Sequence, residues 1–276
     1  MIAALNSIFG GLFAAVFYPF RSMNPWVGMS VVSLLTAVLM LVVFRYTSNQ
    51  EGIRAIKSRI QAYLLELRLY KDSLSTQFAT QGRLLACLPK YIGYSSVPVL
   101  VMIVPLVFMM IQIDDWFGYE RLQPGDTAIV TVRLQDGLKP SRLEIAAEAP
   151  PGLAVDTPAL RIDRDGEVDW RVRAVKEGVH DLVIRVGSER VTKQVVVGGR
   201  PLAPVSWARV GGGMFEELSH PGEPAIARTS QMKRIEVAYA GGRMSLLGWR
   251  VHWLVAFFVL SLVFGYLLKG LFKVEV

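Results

Sequence analysis

The stretch SVPVLVMIVPLVFMMIQ at residues 96–112 is almost wholly apolar and carries two prolines, Pro98 and Pro105. It follows a charged segment, residues 50–88, whose apolar side chains recur at steps of three, four or seven, the pattern of one helix face. A second apolar stretch, residues 26–44, comes just before that segment. A helix needs about 20 apolar residues to cross a hydrocarbon core about 30 Å thick. This order predicts two membrane helices joined by a long charged helical hairpin.

The composition supports a membrane location. Hydrophobic residues make up 52% of the 276 residues, and the mean hydropathy is +0.38, which is too apolar for an ordinary soluble domain. A further apolar stretch, residues 251–268, predicts a third membrane helix. The predicted fold is therefore an α-helical integral membrane protein with three core transmembrane helices and one water-soluble domain.

The apolar N-terminus, residues 1–20, has no Lys or Arg before its apolar stretch and no small-residue cleavage site, which argues against a signal peptide. Asn6, Ser7, Gly10 and Gly11 weaken a membrane span. We expect a helix lying in the outer membrane interface. A fourth transmembrane helix is the alternative.

The distribution of charge predicts the orientation. Residues 45–91 contain eight basic and three acidic side chains, a net charge of +5, whereas residues 113–248 contain 18 basic and 19 acidic ones. Short basic loops stay in the cytoplasm, and long domains translocate largely regardless of charge. We therefore expect a multi-pass protein of the inner membrane, with the hairpin inside and the soluble domain on the periplasmic side. The single cysteine, Cys87, allows no internal disulfide.

The soluble domain alternates apolar and polar residues in short runs such as TAIVTVRLQ and EVDWRVRAV, separated by turn signals. Six or seven such strands between residues 126 and 199, followed by the probable strand MKRIEVAYA, predict an immunoglobulin-like β-sandwich. The acidic residues at 163, 165, 167 and 169 are better explained by a hairpin turn than by a calcium loop. We find no catalytic motif and no metal-ligand spacing, so we expect no enzyme, cofactor or metal.

These observations divide the chain into eight predicted segments. They are an N-terminal helix (1–24), a transmembrane helix (25–45), the basic hairpin (46–92), a transmembrane helix with prolines (93–113), the sandwich (114–200), an irregular segment with a strand (201–248), a transmembrane helix (249–269) and a cytoplasmic tail (270–276).

Several residues mark a possible groove between the transmembrane helices. Ser30 and Ser33 form a small-residue stripe, which is typical of close helix packing. Arg45 either anchors its helix at the interface or attracts polar stretches of a translocating segment. Met102 and Met109 provide pliable apolar contacts, and Pro105 bends the helix or serves packing alone.

We expect the hairpin to break around residues 72–76 and to continue in a second helix that ends at Pro89. The hairpin carries basic residues around its apolar face. They make it either a solvated spacer that sets topology or a docking arm for a ribosome, a nascent chain or anionic lipid, and specific nucleic-acid binding is not expected. The basic residues concerned are Arg54, Lys57, Arg59, Arg68 and Lys71.

The pattern resembles the Oxa superfamily of membrane insertases, which includes bacterial YidC and the insertase subunit of the ER membrane complex. The resemblance is carried by FRYTSNQ (44–50), the hairpin IRAIKSRIQAYLLELRLYKD (53–72), the proline-bearing stretch and a last apolar segment that returns to the cytoplasm. It implies a groove open to the cytoplasm with a basic residue from the first core helix, for which Arg45 is the nearest match by position. The folded domain between the second and third core helices departs from the family pattern.

The resemblance implies an insertase or chaperone that assists insertion or assembly of membrane proteins. Its partners would be membrane lipids and client membrane proteins. The alternative is a non-catalytic scaffold subunit of an envelope complex, in which the sandwich binds a periplasmic partner.

Overall fold

The structure is a computed structural model that describes residues 2–70, 72–199, 202–246, 248–272 and 274. The chain divides into two compact units. The first comprises Met1–Met29 and Met110–Ala256 and contains the β-sheets. The second comprises Ser30–Met109 and Phe257–Val276 and is helical.

The first two helices of the chain are α1 (Ile2–Phe17) and α2 (Pro25–Thr47). The predicted hairpin follows as α3 (Gln50–Leu69) and the first part of α4 (Leu74–Phe117). A break is present as predicted, but it lies at residues 70–73 and not at 72–76, because α3 ends at Leu69 and α4 begins at Leu74.

The prediction that the second hairpin helix ends at Pro89 is wrong. One helix of 44 residues, about 66 Å long at 1.5 Å per residue, runs through Pro89, Pro98 and Pro105. A proline removes one backbone donor, but its fixed φ is compatible with a helix and the flanking turns keep their hydrogen bonds. The second half of the hairpin and the proline-bearing apolar stretch are therefore parts of a single helix.

Three local contacts define the hairpin. The Asn49 side chain caps α3 by accepting a hydrogen bond of 2.9 Å from the backbone of Gly52. A Cβ at Gly52 would lie 3.1 Å from the ring of Tyr94, so a glycine allows α3 to approach α4 there. Further along, Glu66 and Arg83 lie 3.7 Å apart. From Gly52 to Glu66 the chain advances along α3, while the contacting residues of α4 run backwards from Tyr94 to Arg83. The two helices are therefore antiparallel.

Among the described residues, α2 and α4 are long and apolar enough to cross a membrane, with mean hydropathies of 2.6 and 2.4 in their most apolar windows. The last helix, α6 (Trp253–Leu268), has 16 residues and is about 24 Å long, less than the hydrocarbon thickness of about 30 Å. It starts later than the predicted residue 249, because residues 249–252 form a strand.

The β-strands form antiparallel sheets. The larger sheet has the order β3-β5-β1-β9-β8, with β4 also pairing with β5, and a second sheet has the order β2-β6-β7. The strands are β1 (Thr127–Leu134), β2 (Ile145–Glu148), β3 (Leu153–Val155), β4 (Leu160–Ile162), β5 (Glu167–Ala174), β6 (Gly178–Val186), β7 (Glu189–Val197), β8 (Ala208–Val210) and β9 (Met232–Val237).

One apolar core joins these two sheets. Val130 and Trp170 from the larger sheet and Leu182, Ile184 and Val195 from the smaller sheet are buried in the same cluster. The predicted strand positions are confirmed, because buried apolar residues alternate with more exposed residues along β1, β5 and most of β6. The alternation also predicted β9.

The stretch predicted as irregular, residues 201–248, is more structured than its sequence suggested. It contains β8, a short helix α5 (Met214–Ser219), β9, and β10 (Arg243–Leu246), which pairs with β11 (Trp249–His252). Apart from β9, which was predicted, these elements are only three to six residues long and contain too few periods for a sequence pattern to be visible.

Candidate functional site

Of the predicted groove residues of α2, only Ser33 lies fully on the buried face of the helix. Met29, Val32, Ser33, Thr36 and Ala37 are all buried and recur at helical spacing, and the side chain of Ser33 is 0% exposed. Ser30 is half-buried, and Arg45, one turn beyond the buried Leu41, is exposed. The small-residue stripe is therefore a packing surface along most of its length.

The predicted groove residues of α4 share one face of that helix. Met102, Pro105 and Met109 are half-buried and lie in line with Pro98 and Gln112, which are buried. The rest of the helix surface is open and apolar. Its exposed residues are Val97, Val99, Leu100, Val101, Ile103, Val104 and Val107. Only 17% of the apolar window of α4 is buried, compared with 39% in α2.

The hairpin buries its apolar face at the base and exposes it towards the tip. Ile53 and Ile56 are buried, whereas Leu64, Leu69 and Phe78 are exposed. Arg54, Arg59 and Arg68 are exposed and Lys57 is half-buried, while Lys71 lies outside the described residues. The tip therefore combines exposed leucine, phenylalanine and arginine side chains.

The ends of α1 and α4 meet in an aromatic cluster. The ring of Phe17 stacks on Trp116 at 4.5 Å and meets Phe117 edge-on at 5.6 Å. The guanidinium of Arg21 lies 5.5 Å from the ring of Trp116, and its backbone carbonyl accepts a hydrogen bond of 2.8 Å from Leu202. We call this cluster, with the strands attached to it, the junction.

The β10–β11 hairpin completes the junction. The backbone of Gly242 donates to the carbonyl of Gly118 at 2.7 Å, and a Cβ on Gly242 would lie 1.9 Å from the carbonyl oxygen of Phe117. Only glycine fits there. At the start of α2, the indole of Trp26 donates to the carbonyl of Ser245 at 2.7 Å. The ends of α1, α2 and α4 are therefore all attached to the β-sheet unit.

The edge strand β7 is capped by side chains instead of a neighbouring strand. The backbone N–H of Gln194 donates to Glu223 at 3.2 Å, and that of Val196 donates to the hydroxyl of Tyr239 at 3.1 Å. The carbonyl of Thr192 accepts from Arg209. Unpaired edges of sheets invite association with other chains, and these contacts block that route along β7.

Lys193 is buried at the centre of this edge. Its side chain is 0% exposed and forms an ion pair with Glu223, and its ammonium donates to the carbonyl of Ser206 at 2.6 Å. Burial lowers the pKa of Lys193, and the carboxylates of Glu223 and Asp115 act against that shift. The adjacent Val205 donates to the carbonyl of Asp115 at 2.6 Å, which ties this cluster to the end of α4.

Sequence reasoning missed Lys193, although a signal was present. Lys193 is two or four residues from Val191, Val195 and Val197, and side chains at such spacings in a strand point to the same face. The alternation that predicts β7 therefore places the lysine on the inward face. A lysine is rarely buried without a partner. Its partner could not be predicted, because Glu223 is 30 residues away in a segment without a clear pattern.

Three of the four acidic residues that resembled a calcium loop have a protein partner. Asp163 accepts from the backbone and hydroxyl of Ser141, Glu167 pairs with Arg133 at 2.7 Å, and Asp169 accepts from Thr131. In the described part of the chain no cluster of three or more His, Cys, Asp or Glu side chains has the arrangement of a metal site.

A cavity of about 320 Å³ lies beside Glu223 and is lined partly by Asn6 of α1 and by Glu217 and His220. The amide of Asn6 donates to the carbonyl of Glu217 at 2.6 Å, so α1 lies against α5. Burial lowers the pKa of His220, and the nearby Arg234 lowers it further. The arrangement favours a neutral imidazole and offers no nucleophile or metal ligand set.

Comparison of the chain with models of protein families, with curated proteins and with solved structures finds no match. The resemblance to membrane insertases therefore rests on the segments quoted above.

Proposed function

We propose that this protein assists the insertion or assembly of membrane proteins, in the manner of the Oxa and YidC insertases. The observation that carries the proposal is the single helix α4. It joins a basic hairpin to an apolar stretch whose side chains are largely exposed. A hydrophobic client could move along the continuous surface of such a helix from the cytoplasmic side into the bilayer.

The proposal places the protein in the inner membrane as a multi-pass protein. Its hairpin faces the cytoplasm, because that segment carries a net charge of +5, and the β-sheet unit faces the periplasm. The short helix α6 would thin the bilayer locally, and a thinner bilayer lowers the cost of moving a polar segment across it.

The residues proposed to contact clients are on two surfaces. At the hairpin tip, exposed Leu64, Leu69 and Phe78 would contact apolar client segments, with Arg59 and Arg68 near anionic lipid or acidic flanks. In the membrane, the half-buried face of Met102, Pro105 and Met109 would line the groove. Arg45 would attract polar client segments at its inner end.

We propose further that the β-sheet unit is an immunoglobulin-like sandwich. The strand orders β3-β5-β1 and β2-β6-β7 correspond to the orders D-E-B and C-F-G of that fold. The strand β9, paired antiparallel with β1, would take the place of strand A. A strand from the C-terminal side fills this position because the chain enters the sandwich directly from α4.

A second candidate function is a scaffold subunit of an envelope complex. The junction favours it, since it attaches the ends of α1, α2 and α4 to the sandwich through aromatic contacts and backbone hydrogen bonds. Such an arrangement would fix the spacing of the helices and present the sandwich to a periplasmic partner.

Site-specific photocrosslinking in native membranes separates the two functions. Probes at Leu100 and Val104 on the exposed face of α4, and at Leu69 on the hairpin, should crosslink to many nascent membrane proteins if the protein is an insertase. A probe at the buried Ser33 is the matched control and should give no client crosslinks.

A scaffold would give a different pattern. Probes at Val104 and at Val179, which is exposed on the sandwich, would each capture one stoichiometric partner. The absence of nascent-chain crosslinks at Leu100, Val104 and Leu69 alike would contradict the insertase proposal.

A further inference from the structure

Beyond the handling of clients, one apolar surface of the β-sheet unit has no partner among the described residues. Phe215 is 79% exposed, and the neighbouring Met214 is also exposed, so two large apolar side chains lie side by side on the surface of α5. Exposed apolar patches on a soluble domain generally mark a contact surface.

The structure brings this surface next to α1. The hydrogen bond from Asn6 to the carbonyl of Glu217 holds the start of α1 against α5, while Phe17 holds its end against Trp116. Both ends of α1 are thus fastened to the β-sheet unit, so α1 runs along that unit. Its exposed side includes Leu12, and residues 1–20 contain no charged side chain.

Two further exposed aromatic residues belong to the same unit. Tyr18 follows α1 directly, and Trp249 lies in β11, four residues before α6 begins at Trp253. The bond between Trp26 and Ser245 keeps the β10–β11 hairpin at the start of α2. Tyr and Trp concentrate at membrane–water interfaces, where their rings are partly apolar and partly hydrated.

We propose that α5 and α1 together rest in the outer interface of the lipid bilayer, with Met214 and Phe215 inserted among the lipids. The occupant of this surface is phospholipid, because α5 lies against α1, which carries no charged side chain and leads at its other end to the start of the apolar helix α2. In α5, Met214 and Phe215 are exposed whereas Glu216 and Glu217 are half-buried, so the exposed side of this helix is mainly apolar. The sandwich is thereby anchored to the membrane through α5, in addition to its chain connections to α4 and α6.

This inference rests on the proposed membrane location, and the test separates the two. The full chain, with Cys87 replaced by serine, is given a single nitroxide label through Phe215→Cys and reconstituted in phospholipid nanodiscs. The accessibility of the label to oxygen and to a water-soluble nickel chelate is measured. Matched labels go to Leu160→Cys on the sandwich, also strongly exposed, and to Leu262→Cys in α6.

The expected result is a several-fold higher ratio of oxygen to nickel accessibility at position 215 than at position 160. A label attached through Met214→Cys should give the same result. It is the control for a local disturbance caused by the Phe215→Cys substitution itself. Equal ratios at 215 and 160, with a high ratio at 262, would overturn the inference and leave the membrane location intact. Low accessibility to both reagents at 215 would indicate a protein contact and would also overturn it. A low ratio at 262 would contradict the membrane location itself.

Discussion

The edge of strand β7 is covered by side chains, whereas the apolar surface of helix α4 is left exposed. Along β7, side chains from Arg209, Glu223 and Tyr239 cap backbone groups that have no partner strand, and a lysine on the inward face is paired. Along α4, apolar side chains such as Leu100 and Val104 are left uncovered. An element in water must hide apolar and unpaired groups, whereas a helix in lipid or against a client gains by exposing apolar ones. The difference indicates two different surroundings for parts of one chain.

The largest expected effect tests the buried ion pair of β7. Lys193→Met leaves Glu223 buried without its partner and should lower the free energy of unfolding of the sandwich by about 3–5 kcal/mol. Hydrogen exchange of β6 and β7 amides in the full chain in detergent would measure the loss. The double variant Lys193→Met with Glu223→Met removes both charges and should recover much of the stability.

A matched control for that experiment is the exposed pair of Lys233 and Asp136, 3.3 Å apart. Lys233→Met should cost less than about 1 kcal/mol, because water screens the pair. If Lys193→Met cost no more than Lys233→Met, the interpretation of β7 as a buried, satisfied edge would be wrong.

The next effect compares the two apolar helices. Ser33→Leu forces a larger side chain into a fully buried position of α2 and should destabilise the protein by about 1–3 kcal/mol. Val104→Leu adds a methylene on the exposed face of α4, where Val104 is 61% exposed, and should be close to neutral. Thermal unfolding of both variants in detergent measures the difference. Equal costs would mean that α4 is packed as tightly as α2.

A smaller effect concerns the hairpin. Asn49→Ala removes the side-chain acceptor for the backbone N–H of Gly52 and should destabilise the start of α3 by about 1 kcal/mol. Faster hydrogen exchange in the first turn of α3, with unchanged exchange in the sandwich, is the expected result. Asn49→Asp, which keeps the acceptor, is the control and should exchange like the parent protein.

The smallest expected effect is the change in stability with pH that arises from His220. Burial first, and then Arg234, lower the pKa of this imidazole below its ordinary value, while Glu216 and Glu236 oppose the shift. As the pH falls, the imidazole of the unfolded chain is protonated first, because its pKa of about 6.5 is higher than that of the folded protein. This protonation favours unfolding, so the stability that His220 contributes above pH 6.5 is lost at lower pH. Unfolding in denaturant between about pH 8 and about pH 5 should show a smaller acid-side loss in His220→Gln than in the parent. A parent and a variant with the same pH profile would contradict this assignment.

Long periodic segments could be predicted from the sequence, and short elements could not. The apolar residues of α2 and the alternation in β1, β5 and β6 repeat over many positions, so local physics alone reveals them. The continuity of α4 through Pro89 was missed because a local rule predicts a helix end at a proline, and the surrounding turns override it. Elements such as β8, α5 and the β10–β11 hairpin exist only because neighbouring parts of the chain hold them.

The sequence by itself determined where the long apolar helices and the longer alternating strands lie and how charge is distributed between them, since each of these depends on neighbours within a few residues. Only the tertiary structure decided that Lys193 meets Glu223, that Phe17 stacks on Trp116, and that Asn6 places α1 beside α5. These partners lie 30 to 211 residues apart in sequence. Contacts over such separations are chosen by packing and by the pairing of buried polar groups, and no local pattern records that choice.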